Sequence, residues 1–274
     1  ARPGANIRNA GMDFIDGDTL VPAGLKVNAD MIALAVGAGQ LALEVHRQPR
    51  IGILSTGDEL VEPGEPTGPD QIINSVSKGL SALIAGAGCE PVYLGIANDT
   101  PQSVRENLAK VSGLDLLVTI GGASVGDHDH LRRVFAEDGG ALLFEKIALK
   151  PGKPTWFGLF KGTPVLGLPG NPVSALVVAR LLLLPAITRL NGQHASPALV
   201  PATCAVELPE NDHRETYLRG QFNPDGSVEP LRNQDSSALS ALVRASCLIR
   251  RPINSPAVTP GTRVDILVLE ERSG

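Results

Sequence analysis

The chain has 274 residues, of which 43% are apolar and 19% charged, with a formal net charge of −5. This length is sufficient for one large domain or two modest ones with apolar cores. The acidic balance disfavours a general role on nucleic acid or on a membrane surface. Three widely spaced cysteines without a CxxC pair disfavour a disulfide framework and a zinc site, and are typical of the reducing cytoplasm.

The first 48 residues are rich in glycine and irregular in pattern. Residues 21–24 (VPAG) predict a turn, and residues 29–43 predict a helix of small residues. The charged, proline-containing segment 44–50 predicts a domain boundary near residue 48.

Residues 49–198 alternate between strand and helix patterns. Short apolar runs predict strands at 51–55, 92–97, 115–120, 142–149, 155–160 and 165–168. Helical patterns occur at 75–87, 101–111, 130–137 and 172–190. This alternation predicts an α/β fold in which a mostly parallel sheet lies between two layers of helices. The longest apolar run, residues 175–186, is interrupted by Arg180 and Pro185 and is too short to span a bilayer.

Residues 199–274 have a different pattern. Short strand-like runs are separated by turn signals at 223–226 and 259–261. Residues 263–270 alternate between apolar and polar side chains and predict an edge strand. We expect a small all-β C-terminal domain, either a barrel or a sandwich.

Acidic residues follow the first two predicted strands. Asp58 and Glu59 come after Gly57, and Asp99 comes after the second strand. Because ligands of an open parallel sheet bind beyond the carboxyl ends of its strands, these carboxylates could hold a magnesium ion. Taken alone, they could equally cap a turn or support the N-terminus of the next helix.

A glycine-rich loop, residues 121–126 (GGASVG), follows the third predicted strand. Glycines allow backbone N–H groups to approach an anion closely, and the helix after the loop adds its positive end. The pattern is typical of a phosphate-binding loop, with a plain turn as the alternative. In the next four residues (DHDH), Asp129 is a better candidate for a magnesium ligand than the stretch is for a zinc site.

Two Pro-Gly loops complete the set. Lys150 and Lys153 stand on a turn stiffened by prolines (KPGKP), where two cations suit an oxyanion; a solvated basic turn is the alternative. In LPGNP, Asn171 is expected to cap a helix that Pro172 starts, leaving free backbone donors close to Ser174. An ordinary capped helix is the alternative there. Acids, backbone donors and lysines together predict a site for a phosphorylated ligand and a further oxyanion.

The order of these motifs resembles the molybdopterin molybdenumtransferase (MoeA/gephyrin) family, without that family's N-terminal segment and inserted domain. The resemblance rests on NIRNAG at 6–11, VPAG at 21–24, STGDEL at 55–60, GGASVGDHD at 121–129, KPGKP at 150–154 and LPGNPVSA at 168–175. It implies a three-layer, MogA-like molybdopterin-binding domain at 49–198 and a β-barrel-like domain at 199–274. Residues 1–48 would be the remnant of an N-terminal linker or dimerisation domain.

The resemblance also implies roles for individual residues. It implies catalytic roles for Glu59, Asp99, Asp129 and Lys146, with the three acids as metal ligands. The phosphorylated pterin would be bound by Thr56, Gly57, Asp58, Gly121, Gly122, Ser124, Gly126, Gly170 and Asn171. Molybdate would be bound by Lys150, Lys153, Pro154, Ser174, Arg214 and Ser236.

The family inserts molybdate into adenylylated molybdopterin with Mg²⁺ and releases AMP. The resemblance therefore implies a transferase of molybdenum cofactor biosynthesis that is a homodimer in its full-length form, with other proteins of that biosynthesis as further partners. A molybdopterin-binding module or gephyrin-like scaffold without turnover is one alternative. A molybdopterin adenylyltransferase is another, which KPGKP disfavours. Val76 stands where the family commonly has asparagine, which removes one amide contact expected with the cofactor.

Overall fold

A computed structural model describes residues 4, 6–122, 130–193 and 199–269. The strands are β1 (Arg50–Thr56), β2 (Leu60–Val61), β3 (Ile72–Ile73), β4 (Glu90–Ala97), β5 (Leu116–Ile120), β6 (Ala141–Phe144), β7 (Leu149–Lys150), β8 (Trp156–Phe160), β9 (Thr163–Leu168), β10 (Leu199–Thr203), β11 (Glu215–Phe222), β12 (Val228–Pro230), β13 (Cys247–Arg251) and β14 (Arg263–Val268). The helices are α1 (Ala29–Gly37), α2 (Ser75–Gly86), α3 (Pro101–Leu108), α4 (His130–Glu137), α5 (Pro172–Val178), α6 (Leu184–Leu190) and α7 (Leu239–Arg244).

The first sheet has six strands in the order β4-β1-β5-β9-β8-β6. The first four are parallel, whereas β8 pairs antiparallel with both β9 and β6. The hairpin between β8 and β9 turns through Lys161 and Gly162, both with positive φ, which matches the right-handed twist of the strands. The mostly parallel sheet is confirmed, and this hairpin extends it at one edge.

Helices cover both faces of this sheet. Alternate residues of β5 point to opposite faces, so Val118 packs in the core with α2 and α5, whereas Leu117 packs in the core with α3 and α4. In the second core, Phe135 of α4 packs edge-to-face on Trp156 of β8, with 5.1 Å between ring centroids. Full burial of each large apolar side chain contributes about 1.5–3 kcal/mol. The predicted three-layer α/β arrangement is therefore confirmed.

A continuous helix runs from Pro172 to Leu190 through α5, a π turn and α6. This 19-residue helix is long and apolar enough to cross a membrane by length and composition alone, but half of its most apolar stretch is buried inside the protein. Val173 and Leu183 belong to the core beside the sheet, which accounts for the apolar composition. Pro185 cannot donate a backbone hydrogen bond, and the wider π turn directly before it accommodates its ring.

The helix expected over 29–43 is shorter in the structure. Helix α1 ends at Gly37, and Gly39 follows with a φ of 78°. The amide of Gly39 bonds back to the carbonyl of Val36 at 2.9 Å. A left-handed glycine of this kind closes a helix, and it does so before the small-residue pattern ends.

The single strand expected at 142–149 is two strands in different sheets. Strand β6 pairs with β8, whereas β7 pairs parallel with β11, placing Lys150 opposite Thr216. The pairing register of β6 with β8 shifts between Leu142 and Phe144, shortly before the chain passes to β7 in the other sheet. Both pieces have strand-like side chains, so the pattern alone could not show that the chain changes sheets between them.

The second sheet has the order β10-β14-β13-β11-β12, with β7 on β11. The prediction of a small all-β domain is confirmed, but the prediction of an edge strand at 263–270 is wrong, because β14 pairs with both β10 and β13. Buried Val264 and Ile266 alternate with exposed Asp265. Such alternation shows that one face meets solvent, which is also true of interior strands in antiparallel sheets.

The two sheets share one apolar core. Leu149 of β7 and Tyr217 and Leu248 of the second sheet cluster with side chains of α5 and α6. The amide of Glu215 donates to the carbonyl of Ala148 at 2.9 Å, which extends the contact beyond β7. The second sheet is thereby fixed against the helix that starts at the carboxyl end of β9.

Candidate active site

The carboxyl ends of the four parallel strands lie side by side and form the edge at which the site is expected. The amide of Gly57, after β1, donates to the carbonyl of Ala97, the last residue of β4, at 3.2 Å. The amide of Gly121, after β5, donates to the carbonyl of Leu168, the last residue of β9, also at 3.2 Å. The loops with candidate functional residues are therefore neighbours.

Three carboxylates meet at one end of this edge: Asp58, Glu59 and Asp99, here named the acid group. The amide of Asp99 donates to Oδ1 of Asp58 at 2.9 Å. Burial raises the pKa of the Asp99 carboxyl, and the negative charges of Asp58 and Glu59 raise it further. The carboxylate of Glu59 lies over Gly57, where an added Cβ would come within 2.5 Å of it. The structure therefore brings these predicted site residues within electrostatic contact.

His130, the first residue of α4, lies close to the acid group. A positive charge on its ring would lower the pKa of Asp99, and its buried Nδ1 has no hydrogen-bond partner among the described residues. Sequence reasoning gave His130 no role; the available signal was its position directly after the glycine-rich loop. Its ring is a candidate for orienting the acid group or a bound phosphate.

The predicted metal ligands lie partly within the described residues and partly outside them. Within the described ranges, no three His, Cys, Asp or Glu side chains are arranged to hold a metal ion. The predicted site residues Ser124, Gly126 and Asp129 lie outside the described residues.

Gly121 and Gly122 follow β5 with φ of 87° and 60°. A Cβ on Gly121 would come within 2.6 Å of the carbonyl oxygen of Thr56. Thr56 is only 4% exposed, and its hydroxyl donates to the carbonyl of Ile120 at 3.3 Å. Thr56 therefore packs against both glycines, and its hydroxyl is already used in a hydrogen bond to the main chain of β5. Gly170 completes this close packing, because its own Cβ would lie 3.6 Å from the Cα of Gly121.

The start of α5 differs from the expectation. The side chain of Asn171 does not cap the helix; its Nδ2 donates instead to Oγ of Ser236 at 3.0 Å. The amide of Val173 donates to the carbonyl of Ser236, also at 3.0 Å. One of the backbone donors expected to be free is therefore used by the second domain. Pro172 has no N–H, so the amide of the buried Ser174 is the other donor of this turn.

The lysine loop, residues 150–154, lies at the same edge. It directly precedes β8, whose first residue Trp156 pairs with Gly167 near the carboxyl end of β9. A Cβ on Gly152 would come within 2.6 Å of a valine side chain of α5, so the loop backbone packs against that helix. The side chains of Lys150 and Lys153 are exposed. The contact with α5 is made by Val178, the last residue of that helix, and the structure thus presents two cations beside it.

Lys146 and Pro154 lie beside the two cations. The amide of Ile147 donates to the carbonyl of Lys153 at 3.1 Å, which holds the segment containing the exposed Lys146 against the loop. The half-buried Pro154 is followed by Thr155, whose hydroxyl closes the turn by donating to the carbonyl of the loop glycine at 2.7 Å.

Arg214 lies directly before β11 and therefore next to the pairing of β11 with β7. Its Nη2 donates to Oδ2 of Asp212 at 3.4 Å, while no residue in the described ranges is a hydrogen-bond partner of its buried Nε. Ser236 reaches the start of α5 from the same domain. The structure therefore brings both predicted residues of the second domain to the part of the site that contains the lysine loop and α5.

A groove of about 880 Å³ lies elsewhere. It is lined by residues 21–27 and 43–46, by the two residues that follow α2, and by Leu184 and Thr188 of α6 with Asn191 and Gln193 after it. Because α2 starts near the carboxyl end of β1, its last turn lies at the opposite end of the sheet. None of the predicted site residues lines this groove.

Comparison with known proteins gives matches along most of the chain. A family model described as "Probable molybdopterin binding domain" matches residues 52–189, and one described as "MoeA C-terminal region (domain IV)" matches residues 201–269. The molybdopterin molybdenumtransferases of Nostoc sp. and Haemophilus influenzae are 33% and 35% identical over 98% and 97% of this chain. The chain spans 64% and 67% of their respective lengths.

A solved structure leads to the same family. The crystal structure of a molybdopterin biosynthesis MoeA protein from Pyrococcus horikoshii matches with a TM-score of 0.83 and 29% identity, covering 95% of this chain and 64% of that one. The matching family models, the identity to the Haemophilus influenzae protein and this fold agree with the motif order, and the chain belongs to the molybdopterin molybdenumtransferase family.

Proposed function

We propose that this chain inserts molybdate into adenylylated molybdopterin with the help of Mg²⁺ and releases AMP. One structural observation carries the proposal: the acid group, the close-packed glycines and the lysine loop occupy one edge of the sheet. Acids suit a divalent cation, glycines suit a phosphate, and lysines suit an oxyanion. The names of the relatives, molybdopterin molybdenumtransferase, support the same substrates.

The oxygen ligands of the acid group suit Mg²⁺ by their chemistry, although its three carboxylates do not by themselves form a metal-binding cluster. Carboxylate oxygens are the ligands that this ion prefers, and it commonly takes one or two of them together with water and substrate phosphates. Burial, and after it the negative charges of Asp58 and Glu59, raise the pKa of Asp99, and a bound cation would offset that repulsion. We assign Glu59, Asp99 and Asp129 as the residues that would hold the ion. When bound, Mg²⁺ would neutralise charge on the phosphoanhydride of the adenylylated substrate.

The other side chains would bind and orient the two substrates. Gly57, Asp58, Gly121, Gly122, Ser124, Gly126, Gly170 and Asn171 are assigned to the phosphorylated pterin, with Thr56 supporting the glycines. Lys150, Lys153, Pro154, Ser174, Arg214 and Ser236 are assigned to molybdate, and Lys146 to charge neutralisation beside them. The cysteines are buried outside this set, so the proposal relies on positioning and electrostatics rather than on a thiol nucleophile.

A binding module without turnover is the second candidate. Val76 favours it, because this residue of α2 is buried in the core and offers no polar contact to a ligand. The domain limits at 48 and 198, a homodimer of the full-length form, other biosynthetic proteins as partners and a cytoplasmic location stay predictions.

AMP release from adenylylated molybdopterin, measured with Mg²⁺ with and without molybdate, tests the proposal. We expect molybdate-dependent release, reduced by at least about tenfold in Asp99→Asn. Asp138→Asn is the matched control, because Asp138 is an acid in an exposed ion pair with Arg105 away from the site. The assay is run on this chain and on a form extended to the full length of its relatives. Pterin binding without AMP release in both forms would support the binding module instead.

A further inference from the structure

Tyr93 of β4 is a half-buried tyrosine whose hydroxyl joins two segments of the chain. The hydroxyl donates to Oε1 of Glu62, and it accepts from Nδ2 of Asn74 at 2.8 Å. The side-chain carbonyl of Asn74 accepts in turn from the hydroxyl of Ser55 at 3.1 Å. Because Ser55 and Asn74 are buried, these bonds satisfy polar groups that solvent cannot reach. A chain of hydrogen bonds therefore runs from β1, through the residue before α2, to Glu62.

Glu62 lies just beyond the acid group in the sequence, because only the two-residue strand β2 separates it from Glu59. The carbonyl of Glu59 accepts from the amide of Ile72 at 2.7 Å, and the carbonyl of Val61 accepts from the amide of Asn74 at 2.9 Å. These bonds belong to the parallel pairing of β2 with β3. Strands this short are marginally stable by themselves. The position of Glu59 therefore depends on further contacts of the segment 59–62.

Tyr93 provides such a contact from a fixed part of the first sheet. It stands opposite Ile53 in the pairing of β4 with β1, and its ring packs against the apolar core. The ammonium of Lys78 lies over the ring, 4.7 Å from its centroid. Burial, and after it the bond to Glu62, raise the pKa of the Tyr93 hydroxyl, so this group is protonated and donates at neutral pH. Asp99 follows the same strand, so β4 supports two parts of the acid group.

We propose that Tyr93 is a positioning residue that holds the segment 59–62 against the first sheet and so sets the place of Glu59 in the acid group. The proposal rests on the proposed function only in taking Glu59 as a magnesium ligand. Tyr93 is assigned to neither substrate. Its hydroxyl acts through Glu62, which follows β2, and through Asn74, which follows β3.

Amide hydrogen exchange of Ile72, measured by NMR, tests the positioning directly, because this amide is bonded to the Glu59 carbonyl. We expect Tyr93→Phe, which removes one hydroxyl and keeps the ring, to accelerate exchange at Ile72 by at least about tenfold. The amides of β5 should keep their protection. Glu62→Ala removes the same bond from its other end and should give a similar acceleration. It also serves if the phenylalanine variant does not fold.

Glu62→Gln separates the bond from the charge. Glutamine keeps an oxygen that accepts from the Tyr93 hydroxyl, but a neutral acceptor makes a weaker hydrogen bond than a carboxylate. We expect this variant to accelerate exchange at Ile72 less than Glu62→Ala does. Equal acceleration in the two variants would show that the charge of Glu62, and not its bond to Tyr93, holds the segment.

Tyr217→Phe is the matched control. The chain has two tyrosines, and the hydroxyl of Tyr217 also donates to a glutamate, Oε1 of Glu215, at 2.7 Å. The substitution therefore makes the same chemical change on β11 of the second sheet, without removing a bond of the segment 59–62. We expect exchange at Ile72 to stay at the wild-type rate in this variant.

Magnesium binding tests the consequence for the acid group. Calorimetric titration with magnesium chloride is carried out in the presence of AMP, which supplies a phosphate. We expect Tyr93→Phe to weaken magnesium binding by about tenfold, and Tyr217→Phe to leave it unchanged. In the AMP-release assay, Tyr93→Phe should need more Mg²⁺ for half of the maximal rate, while the rate at saturating Mg²⁺ stays close to that of the wild type.

The two measurements separate the positioning role from the proposed function. Unchanged exchange at Ile72 in both Tyr93→Phe and Glu62→Ala would overturn the positioning role. Accelerated exchange together with unchanged magnesium affinity would also overturn it, because Glu59 would then not depend on Tyr93. Accelerated exchange in a protein whose wild type binds no magnesium would instead contradict the proposed function and leave the anchoring of the segment supported.

Discussion

Asn171 and Ser236 are 65 residues apart in the chain, yet their side chains are joined by a 3.0 Å hydrogen bond between Nδ2 and Oγ. The bond links the start of α5, at the carboxyl edge of the first sheet, to a loop of the second domain. Because Val173 also donates to Ser236, two interactions hold the domains together at the candidate site. The residues proposed for molybdate, here called the oxyanion pocket, therefore come from both domains, and substitutions in either domain are expected to change molybdate binding.

Gly121→Ala tests the close packing of the glycines. We expect a loss of about 2–4 kcal/mol in the free energy of unfolding, because the φ of 87° is strained for alanine and the new Cβ would meet the carbonyl of Thr56. Gly139→Ala is the control: its φ is 92°, but no atom lies within 4 Å of the added Cβ. Denaturant unfolding measures the free energy of unfolding of both variants. Gly139→Ala should lose only the contribution of backbone strain, about 1–2 kcal/mol. Equal losses of unfolding free energy in the two variants would show that the contact between residue 121 and Thr56 does not contribute.

Asp99→Asn tests the electrostatic balance of the acid group. Since the pKa of Asp99 is raised in the folded state, the protonated acid favours folding, and that contribution is lost as pH rises through this pKa. At neutral pH without Mg²⁺, we therefore expect the variant to unfold about 1–2 °C higher than the wild type. Added Mg²⁺ should stabilise the wild type more than the variant in a thermal melt. A variant that melts lower without Mg²⁺ would contradict the repulsion inferred here.

The ion pair beneath the lysine loop predicts a pH dependence of stability. Arg250 donates to both carboxylate oxygens of Glu215, at 2.9 and 3.3 Å, and this contact, followed by the hydroxyl of Tyr217, lowers the pKa of Glu215. A lowered folded-state pKa contributes stability above the unfolded value of about 4.3 that is lost as pH falls. We expect Arg250→Met to cost about 1 kcal/mol at pH 7 and progressively less below about pH 5.

Thermal melts at several pH values distinguish this pair from an ordinary surface pair. Arg105→Met is the control, because Arg105 contacts Glu137 and Asp138 with a side chain that is 45% exposed. Its effect should be small at every pH. A constant difference between the wild type and Arg250→Met from pH 7 to pH 3 would contradict the role of Glu215.

Lys150→Ala and Lys153→Ala test the assignment of the oxyanion pocket. We expect each to weaken molybdate binding by about threefold to tenfold, with little change in stability because both side chains are exposed. Lys161→Ala is the control, since Lys161 is an exposed lysine of the hairpin between β8 and β9, where it lies over Phe160. Calorimetric titration with molybdate measures all three. Unchanged affinity in both loop variants would remove the lysines from the pocket.

Local sequence patterns were sufficient for much of the architecture. Buried five-residue runs such as β5 are continuous and largely apolar because both faces of a parallel sheet are covered, and Thr100 before Pro101 caps α3. The candidate loops were also identifiable, because ligands of parallel sheets bind at the carboxyl ends of strands. The sequence therefore predicted that Asp58 and Asp99 follow the first two strands of the sheet, and the structure shows that these strands are neighbours.

Only the tertiary structure decided which polar groups are free and which domain each segment joins. The pattern at 171–174 is that of a capped helix, but Ser236 takes the Val173 amide because the second domain packs there. The run at 142–149 looks like one strand, but its last residue pairs with β11. The buried charge of Arg219 has no local signal either, because its partners lie across a loop. Sequence patterns report the periodicity of each segment, whereas these contacts depend on the packing of segments that are distant in the chain.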